Sequence, residues 1–177
     1  MANQILRATV CREPSFMVTL FVSHIRPFLD YCSSVWNLGY LGDTDKLEKV
    51  QRRWTKQVHG MENMEYENRL RQLCLYSIRG RLIRADLIKI WKIFHAEVDV
   101  GLGLIFERRA HEATRGHQFK LSVPRCRTEL RRRFFNVRCV SIWNSLPAEA
   151  VEKSSVDSFK TFLDTRLCDN FYAVRER

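Results

Sequence analysis

The segment from Tyr76 to Glu97 carries the longest helical pattern in the sequence and limits the folds that the chain can adopt. Its apolar side chains recur at the spacing of one helical face, in the order Ile83, Leu87, Ile90, Trp91 and Phe94. An α-helix with such a stripe buries it against other elements of the fold. Gly80 costs about 1 kcal/mol relative to Ala inside a helix, so it weakens the first turn of the predicted helix.

A shorter helical pattern runs from Ser15 to Trp36 and is interrupted by Pro27. Proline lacks the backbone N–H that a helix interior needs, but it is well accommodated in the first turn. The sequence therefore predicts a kink or break near Ile25 and Arg26, with Pro27 opening a second helical turn.

Another amphipathic helix is predicted from Thr44 to His59. Asp45 and Glu48 have the spacing of a capping box at its start. Its apolar face consists of Leu47, Val50, Trp54 and Val58, and its opposite face is basic, with Lys46, Lys49, Arg52, Arg53 and Lys56. A solvated surface and a nucleic-acid-binding surface are both compatible with such a face. A short helix should follow from Met64 to Leu73.

The composition changes after Asp99. Glycines mark residues 99–116 as a connector, and an alternating pattern predicts a strand from Gln118 to Val123. A helix is predicted from Phe134 to Ser145, and Ser155 should cap a final helix that ends near Asp169. These segments predict a mainly α fold, in which a helical bundle is followed by a small C-terminal extension with a short β element and one or two helices. The predicted division is 1–98, 99–117 and 118–177.

Basic and aromatic residues alternate from Arg115 to Pro147. Seven Arg and one Lys face a single acid, Glu129, in this segment. Each cation that meets a phosphate releases condensed counterions, and the planar fork of Arg can grip a phosphate at two points. The segment is therefore suited to a polyphosphate. The alternative is a solvated loop whose aromatic residues belong to a small core, and the two interpretations are compatible.

The net charge of +10 over 177 residues indicates an acidic partner, nucleic acid before an anionic membrane. No apolar run approaches the length of about 18 residues that a membrane-spanning helix needs, and the first residues lack a secretory pattern. We therefore expect an intracellular protein, in the nucleus or the cytoplasm. The six cysteines are scattered without a C-x-x-C pair, which is typical of reduced thiols.

Several runs of the sequence together resemble the C-terminal part of the reverse transcriptase of non-LTR (LINE-type) retrotransposons. Their order and spacing agree from about Ala2 to Leu167. The runs are HIRPFLDYCSSVW, LEKVQRRWTKQVHG, YENRLRQL, RADLIKIWKIFH, RGHQFKLSVPRCRTELRRRFFNVRCVSIWNSLP and SVDSFKTFLD.

The resemblance implies a module that follows the polymerase palm, namely the helical thumb and a small C-terminal extension. Residues 1–98 would be the thumb-like region, and its helices from Thr44 to Glu97 would hold the template–primer duplex. The family's paired aspartates, which hold two Mg²⁺ ions in the palm, have no counterpart because the sequence contains no Asp-Asp pair. We therefore expect a non-catalytic fragment of an RNA-directed DNA polymerase, without endonuclease domain, cofactor or metal of its own.

The expected partners are RNA, DNA or an RNA–DNA hybrid, and the missing palm and fingers, but not a membrane. We expect phosphate contacts from one set of cations on the second predicted helix and in the basic run: Arg52, Arg53, Lys56, Arg125, Arg127, Arg131, Arg132 and Arg133. Trp36, Trp54, Trp91 and Trp143 are expected in the core rather than as base-stacking platforms. The alternative functions are a structural helical remnant without activity and a metal-dependent nuclease, for which a carboxylate cluster is lacking.

Overall fold

The computed structural model describes residues 2–37, 39–95, 105–109 and 117–172, and these are mainly helical, as predicted. The first half contains α1 (Ala2–Ala8), α2 (Pro14–Leu20), a π-helix (Phe21–Ile25), α3 (Arg26–Asp30), α4 (Ser33–Trp36), α5 (Leu41–Thr55), α6 (Tyr66–Gln72) and α7 (Ile78–Phe94). The second half contains α8 (Glu129–Arg132), α9 (Phe135–Arg138), α10 (Val140–Asn144), α11 (Ala148–Val151), α12 (Val156–Arg166) and α13 (Cys168–Tyr172).

The kink or break predicted near Ile25 and Arg26 coincides with a change from π-helix to α-helix at these residues, in a helical run that is otherwise continuous. The π-helix widens the backbone between α2 and α3, and the N–H of Arg26 bonds to the carbonyl of Phe21, five residues back. Pro27 lies in the first turn of α3, where its missing N–H leaves no unmet bond. Phe21 and Ile25, the first and last residues of the π-helix, are both buried.

The chain forms two compact units, and their division falls within α7. Unit 1 comprises residues 1–33, 39–82 and 169–177, and unit 2 comprises residues 34–38 and 83–168. The predicted boundaries at residues 98 and 117 stay a prediction, because most of the predicted connector lies outside the described residues. Among the described helices, none is long and apolar enough to cross a membrane.

Unit 1 packs around a core supplied by α2, the π-helix, α5 and α6. Trp54 is 1% exposed, its indole N–H donates to the carbonyl of Met17 at 3.1 Å, and its ring lies 5.9 Å from that of Phe21. The core cluster consists of Met17, Phe21, Ile25, Trp54, Val58, Met61, Tyr66, Leu70, Leu73 and Leu75.

The start of α5 differs from the prediction. The helix begins at Leu41 instead of Thr44, Tyr40 precedes it without a side-chain cap, and the capping box predicted from Asp45 and Glu48 is wrong. Glu48 does not cap α5. It is buried, and its carboxylate accepts hydrogen bonds from other elements of unit 1. The short helix predicted from Met64 to Leu73 is confirmed as α6.

Unit 2 packs around aromatic rings. Trp91 stacks 5.8 Å from Phe159, and Phe94 stacks 5.2 Å from Trp143, with the indole N–H of Trp143 donating to the carbonyl of Phe119 at 2.9 Å. Trp54, Trp91 and Trp143 are thus core residues, as predicted. Trp36 is 39% exposed, so the prediction of a core position is wrong for this tryptophan.

The C-terminal helices follow the prediction in part. The helix predicted from Phe134 to Ser145 is divided into α9 and α10 at Cys139. Ser155 caps α12 in a reciprocal capping box with Ser158, which confirms the predicted start of that helix. Near the predicted strand, the described residues contain one antiparallel bridge, between Arg108 and Leu121, so a β element of the predicted extent is not confirmed.

Candidate nucleic-acid interface

The basic run from Arg125 to Arg133 lies at the surface of unit 2. Thr128 caps α8 by accepting the N–H of Arg131 at 3.3 Å, which fixes where this short helix begins. The side chains of Arg125, Arg127, Arg131 and Arg132 are exposed, and that of Arg133 is half-buried. The run is therefore displayed to solvent, as the phosphate-contact hypothesis requires.

Glu129 neutralises only part of this charge. Its carboxylate lies 3.0 Å from the guanidinium of Arg133 and 3.7 Å from that of Arg132. Among the described residues, no carboxylate forms an ion pair with Arg125, Arg127 or Arg131. Three exposed guanidinium groups therefore keep their donors for an external anion.

An aromatic ring stands beside one of these unpaired cations. The guanidinium of Arg131 lies 5.3 Å from the ring centroid of Phe134, and this phenylalanine is 41% exposed. A cation held over a ring keeps most of its N–H donors while losing conformational freedom. The pair thus offers a positioned phosphate donor beside a flat apolar surface.

Arg138 belongs to the same basic stretch of sequence but has a structural role. Its guanidinium donates to both carboxylate oxygens of Asp86, at 2.9–3.1 Å, and to the carbonyl of Arg133 at 3.1 Å. Burial raises the pKa of Asp86 to about 6, although the positive charge of Arg138 opposes this shift. Sequence alternation alone does not distinguish Arg138 from its exposed neighbours, because its partner is 52 residues away.

A second set of predicted cations lies on α5 of unit 1. Arg52, Arg53 and Lys56 are all exposed. The guanidinium of Arg52 lies 4.7 Å from the ring centroid of Tyr66, whose hydroxyl donates to Glu48 at 2.5 Å. The structure therefore places Arg52 and Arg53 at the end of α5 and Lys56 directly after it, and the five arginines of residues 125–133 in another segment, each group on a surface of its own unit.

Two further arginines were not predicted as site residues. Arg7 of α1 and Arg12, just before α2, line a groove of unit 1 together with Arg53. The sequence offers little signal for them, because the helical pattern of α1 is only seven residues long and carries no buried residue. Only the packing of α1 beside α5 reveals that they belong to the same surface as Arg53.

In the part of the chain that the structure describes, no group of three or more His, Cys, Asp or Glu side chains is arranged to hold a metal ion. Comparisons with protein-family models, with curated proteins and with solved structures give no significant match.

Proposed function

We propose that the chain binds the phosphate backbone of nucleic acid as a non-catalytic fragment of a retrotransposon RNA-directed DNA polymerase. The observation that carries the proposal is the set of exposed arginines at 125, 127 and 131, which have no carboxylate partner among the described residues. The cations of α5 supply a second basic surface. In the thumb-like bundle proposed for this region, α5 to α7 would contribute to holding the template–primer duplex.

The proposed contacts are independent of base sequence. Guanidinium groups on a surface segment reach phosphate oxygens, whereas direct reading of a sequence requires an element that enters a groove of the duplex. An RNA–DNA hybrid, the product of reverse transcription, would be the preferred ligand. Affinity should fall steeply as salt rises, because each neutralised phosphate releases counterions.

Fluorescence anisotropy with labelled RNA–DNA hybrid, duplex DNA and single strands tests this function. The informative variant combines Arg125→Ala, Arg127→Ala and Arg131→Ala, since none of these side chains forms an ion pair with another described residue. If each arginine meets one phosphate, the slope of log affinity against log salt should become shallower by about 2–3. A matched control that also removes three positive charges combines Lys153→Ala, Lys160→Ala and Arg166→Ala.

The control should retain most of the affinity, because Lys160 already faces Asp157 in a surface ion pair and all three positions lie outside α5 and the basic run. Equal losses in the two triple variants would mean that only net charge matters, and the assigned surface would then be wrong. Affinity of the unaltered chain that does not change with salt would contradict phosphate binding altogether.

A second candidate function is that of a structural helical remnant. Large apolar side chains are exposed between residues 28 and 41, among them Phe28 at 66%, Tyr31 at 78% and Val35 at 74%. Such exposure is typical of surfaces that a partner covers, in this case the palm or fingers of a polymerase. This candidate predicts concentration-dependent aggregation and no saturable binding of nucleic acid. Sedimentation of a monomer that binds the hybrid saturably would exclude it.

A further inference from the structure

A groove of about 360 Å³ in unit 1 runs beside α1 and α5. Its walls carry three arginines, namely Arg7, Arg12 and Arg53, together with the polar side chains of Asn3, Thr9 and Gln57. Among the described residues, none that lines it is acidic. The groove therefore concentrates three positive charges and several neutral hydrogen-bonding groups around one small volume, and such an environment attracts an anion.

Arg12 is fixed in place at this groove. One terminal nitrogen of its guanidinium donates to the carbonyl of Leu6 at 2.8 Å, and the other contacts the sulfur of Met17 at 3.8 Å. Its own carbonyl accepts the N–H of His59 at 2.9 Å. Among the described residues no carboxylate pairs with this half-buried cation. A bound anion would supply the missing countercharge.

Arg7 and Arg53 differ from Arg12 because both are exposed, and no ion pair within the described residues engages them. They lie on different helices, α1 and α5, yet line the same groove. Guanidinium groups that approach from two walls can share the oxygens of one phosphate, each through paired N–H donors. The arrangement thus has one positioned cation and two adjustable ones.

A second cavity of about 270 Å³ adjoins the first, because Asn3, Leu6 and Arg53 line both. Its other walls are formed by Ala2, Val50 and the buried Trp54, which are apolar, and by Lys49. An anion-binding compartment that adjoins an apolar one matches the two parts of a nucleotide, the phosphate and the base. Small-ligand sites often combine an apolar wall with a few placed polar groups in this way.

We propose that this double groove binds one nucleotide of a nucleic-acid strand, with its phosphate among Arg7, Arg12 and Arg53 and its base against Leu6 and Val50. The inference rests on the proposed function for the identity of the ligand and deepens it by naming a site. It also separates Arg53 from Arg52 on α5, since only Arg53 lines the groove.

The first test compares anisotropy titrations of a labelled RNA–DNA hybrid. The variant combines Arg7→Ala and Arg53→Ala and leaves Arg12 intact, because its hydrogen bond to Leu6 holds the end of α1. The control combines Lys160→Ala and Arg166→Ala, which removes the same charge from positions on α12 that do not line the groove. We expect the groove variant to lose about tenfold or more in affinity at low salt and its salt slope to become shallower by about 2.

The proposal is overturned if the groove variant loses no more affinity than the control while the unaltered chain binds the hybrid well. That outcome leaves the proposed function intact, since the arginines of residues 125–133 would then account for binding. Thermal unfolding of each variant shows whether a loss of affinity reflects a loss of folded protein. If the groove variant is destabilised, the more conservative Arg7→Gln and Arg53→Gln variant replaces it.

The second test follows backbone amide resonances during titration with adenosine monophosphate and, separately, with inorganic phosphate. Shifts at Asn3, Arg7 and Arg53 with the nucleotide, larger than those with phosphate alone, support the double groove. Equal shifts with both ligands would overturn the assignment of the base to the apolar cavity, and no shifts would overturn the site. This test can be made even if the chain binds no nucleic-acid strand. In that case the proposed function is wrong, and the titration still decides whether the groove binds a nucleotide.

Discussion

His117 is buried in unit 2, at 4% exposure, with one ring nitrogen hydrogen-bonded. Its Nε2 lies 3.2 Å from the carbonyl oxygen of Trp143, and its Nδ1 has no partner among the described residues. Burial lowers the pKa of this histidine, and the nearby charge of Lys120 adds to the effect, whereas Trp143 and Glu152 oppose it. The ring is therefore neutral in the folded chain at neutral pH.

This burial predicts a loss of stability in mild acid. The unfolded chain binds a proton at His117 near the ordinary pKa of about 6.5, whereas the folded chain binds it only at lower pH. The contribution of the neutral ring to the free energy of unfolding is complete above about pH 6.5. It is lost as the pH falls from there through the lowered pKa of the folded chain. Urea unfolding between about pH 7.5 and 5.5 should show the decline, and His117→Gln should reduce it.

Asp86 acts in the opposite direction and provides an internal check. The pKa of Asp86 is raised to about 6 in the folded chain. The contribution of Asp86 to the free energy of unfolding therefore falls as the pH rises from the ordinary pKa of an aspartate toward 6. Asp86 is present in both proteins, so its contribution cancels when the free energy of unfolding of His117→Gln is subtracted from that of the unaltered chain at each pH. An equal pH dependence in the two proteins would contradict the role assigned to His117.

Gly80 is required for close packing within unit 1 rather than for backbone freedom. A Cβ at this position would overlap the carbonyl oxygen and the Cα of Phe171 in α13. Substitution by Ala gains about 1 kcal/mol of helix propensity, but a backbone cannot move aside as a flexible side chain can. We expect Gly80→Ala to destabilise the chain by about 1–3 kcal/mol net, as overpacked sites do. Thermal unfolding measures it, and an unchanged or raised midpoint would show that α13 shifts freely.

At the scale of elements, α5 and α7 are linked by the carboxylate of Glu48. One of its oxygens accepts the hydroxyl of Tyr66 at 2.5 Å, and the other accepts the N–H of Ile78 at the start of α7, at 2.9 Å. A carboxylate there satisfies a free N–H of the first helical turn and complements the helix dipole. Burial nevertheless raises the pKa of Glu48.

Removal of this carboxylate should destabilise unit 1. We expect Glu48→Ala to cost about 2–4 kcal/mol, because two buried donors lose their acceptor. Tyr66→Phe should cost only about 1 kcal/mol, since it removes a donor and leaves the bond to α7. Urea unfolding of both variants checks the order. A cost of Tyr66→Phe equal to that of Glu48→Ala would show that the bond to α7 contributes nothing.

The same carboxylate shows what sequence patterns can and cannot predict. The apolar stripe of α7 and the helical irregularity before Pro27 depend on neighbouring residues, and both were predicted. Glu48 resembles a local cap three residues after Asp45, but its partners Tyr66 and Ile78 are 18 and 30 residues away. Arg138 likewise lies in the basic stretch of sequence together with the exposed arginines, but its partner is Asp86, 52 residues away. The pairing of distant polar groups depends on tertiary packing, which a local pattern does not contain.

Candidate site residues follow the same rule. Arg125, Arg127 and Arg131 are exposed in a segment where charge is dense, so composition alone indicated them. The groove arginines Arg7 and Arg12 were missed because their common surface with Arg53 arises only when α1 packs beside α5.

At the scale of the whole molecule, the net charge of +10 has two consequences of opposite sign. Like charges repel one another in the compact chain, so added salt should raise its thermal midpoint by screening them. The same salt should weaken binding of nucleic acid. Melting curves and anisotropy at about 50 and 300 mM salt measure both effects. A midpoint that falls with salt would mean that attractive ion pairs outweigh the repulsion.

The π-helix at Phe21–Ile25 holds one residue more than an α-helical turn of the same rise. Deleting Ser23, which is exposed, would return this turn to α geometry and keep Phe21 and Ile25 on the buried face, three positions apart instead of four. The middle of α5 contains no π-helical turn that could absorb a deletion. Deleting one residue there rotates every later side chain of the helix by about 100°. We therefore expect the first deletion to lower the thermal midpoint less than the second. The π-helix thus marks a place where we expect this chain to tolerate the loss of one residue while its core residues stay in register.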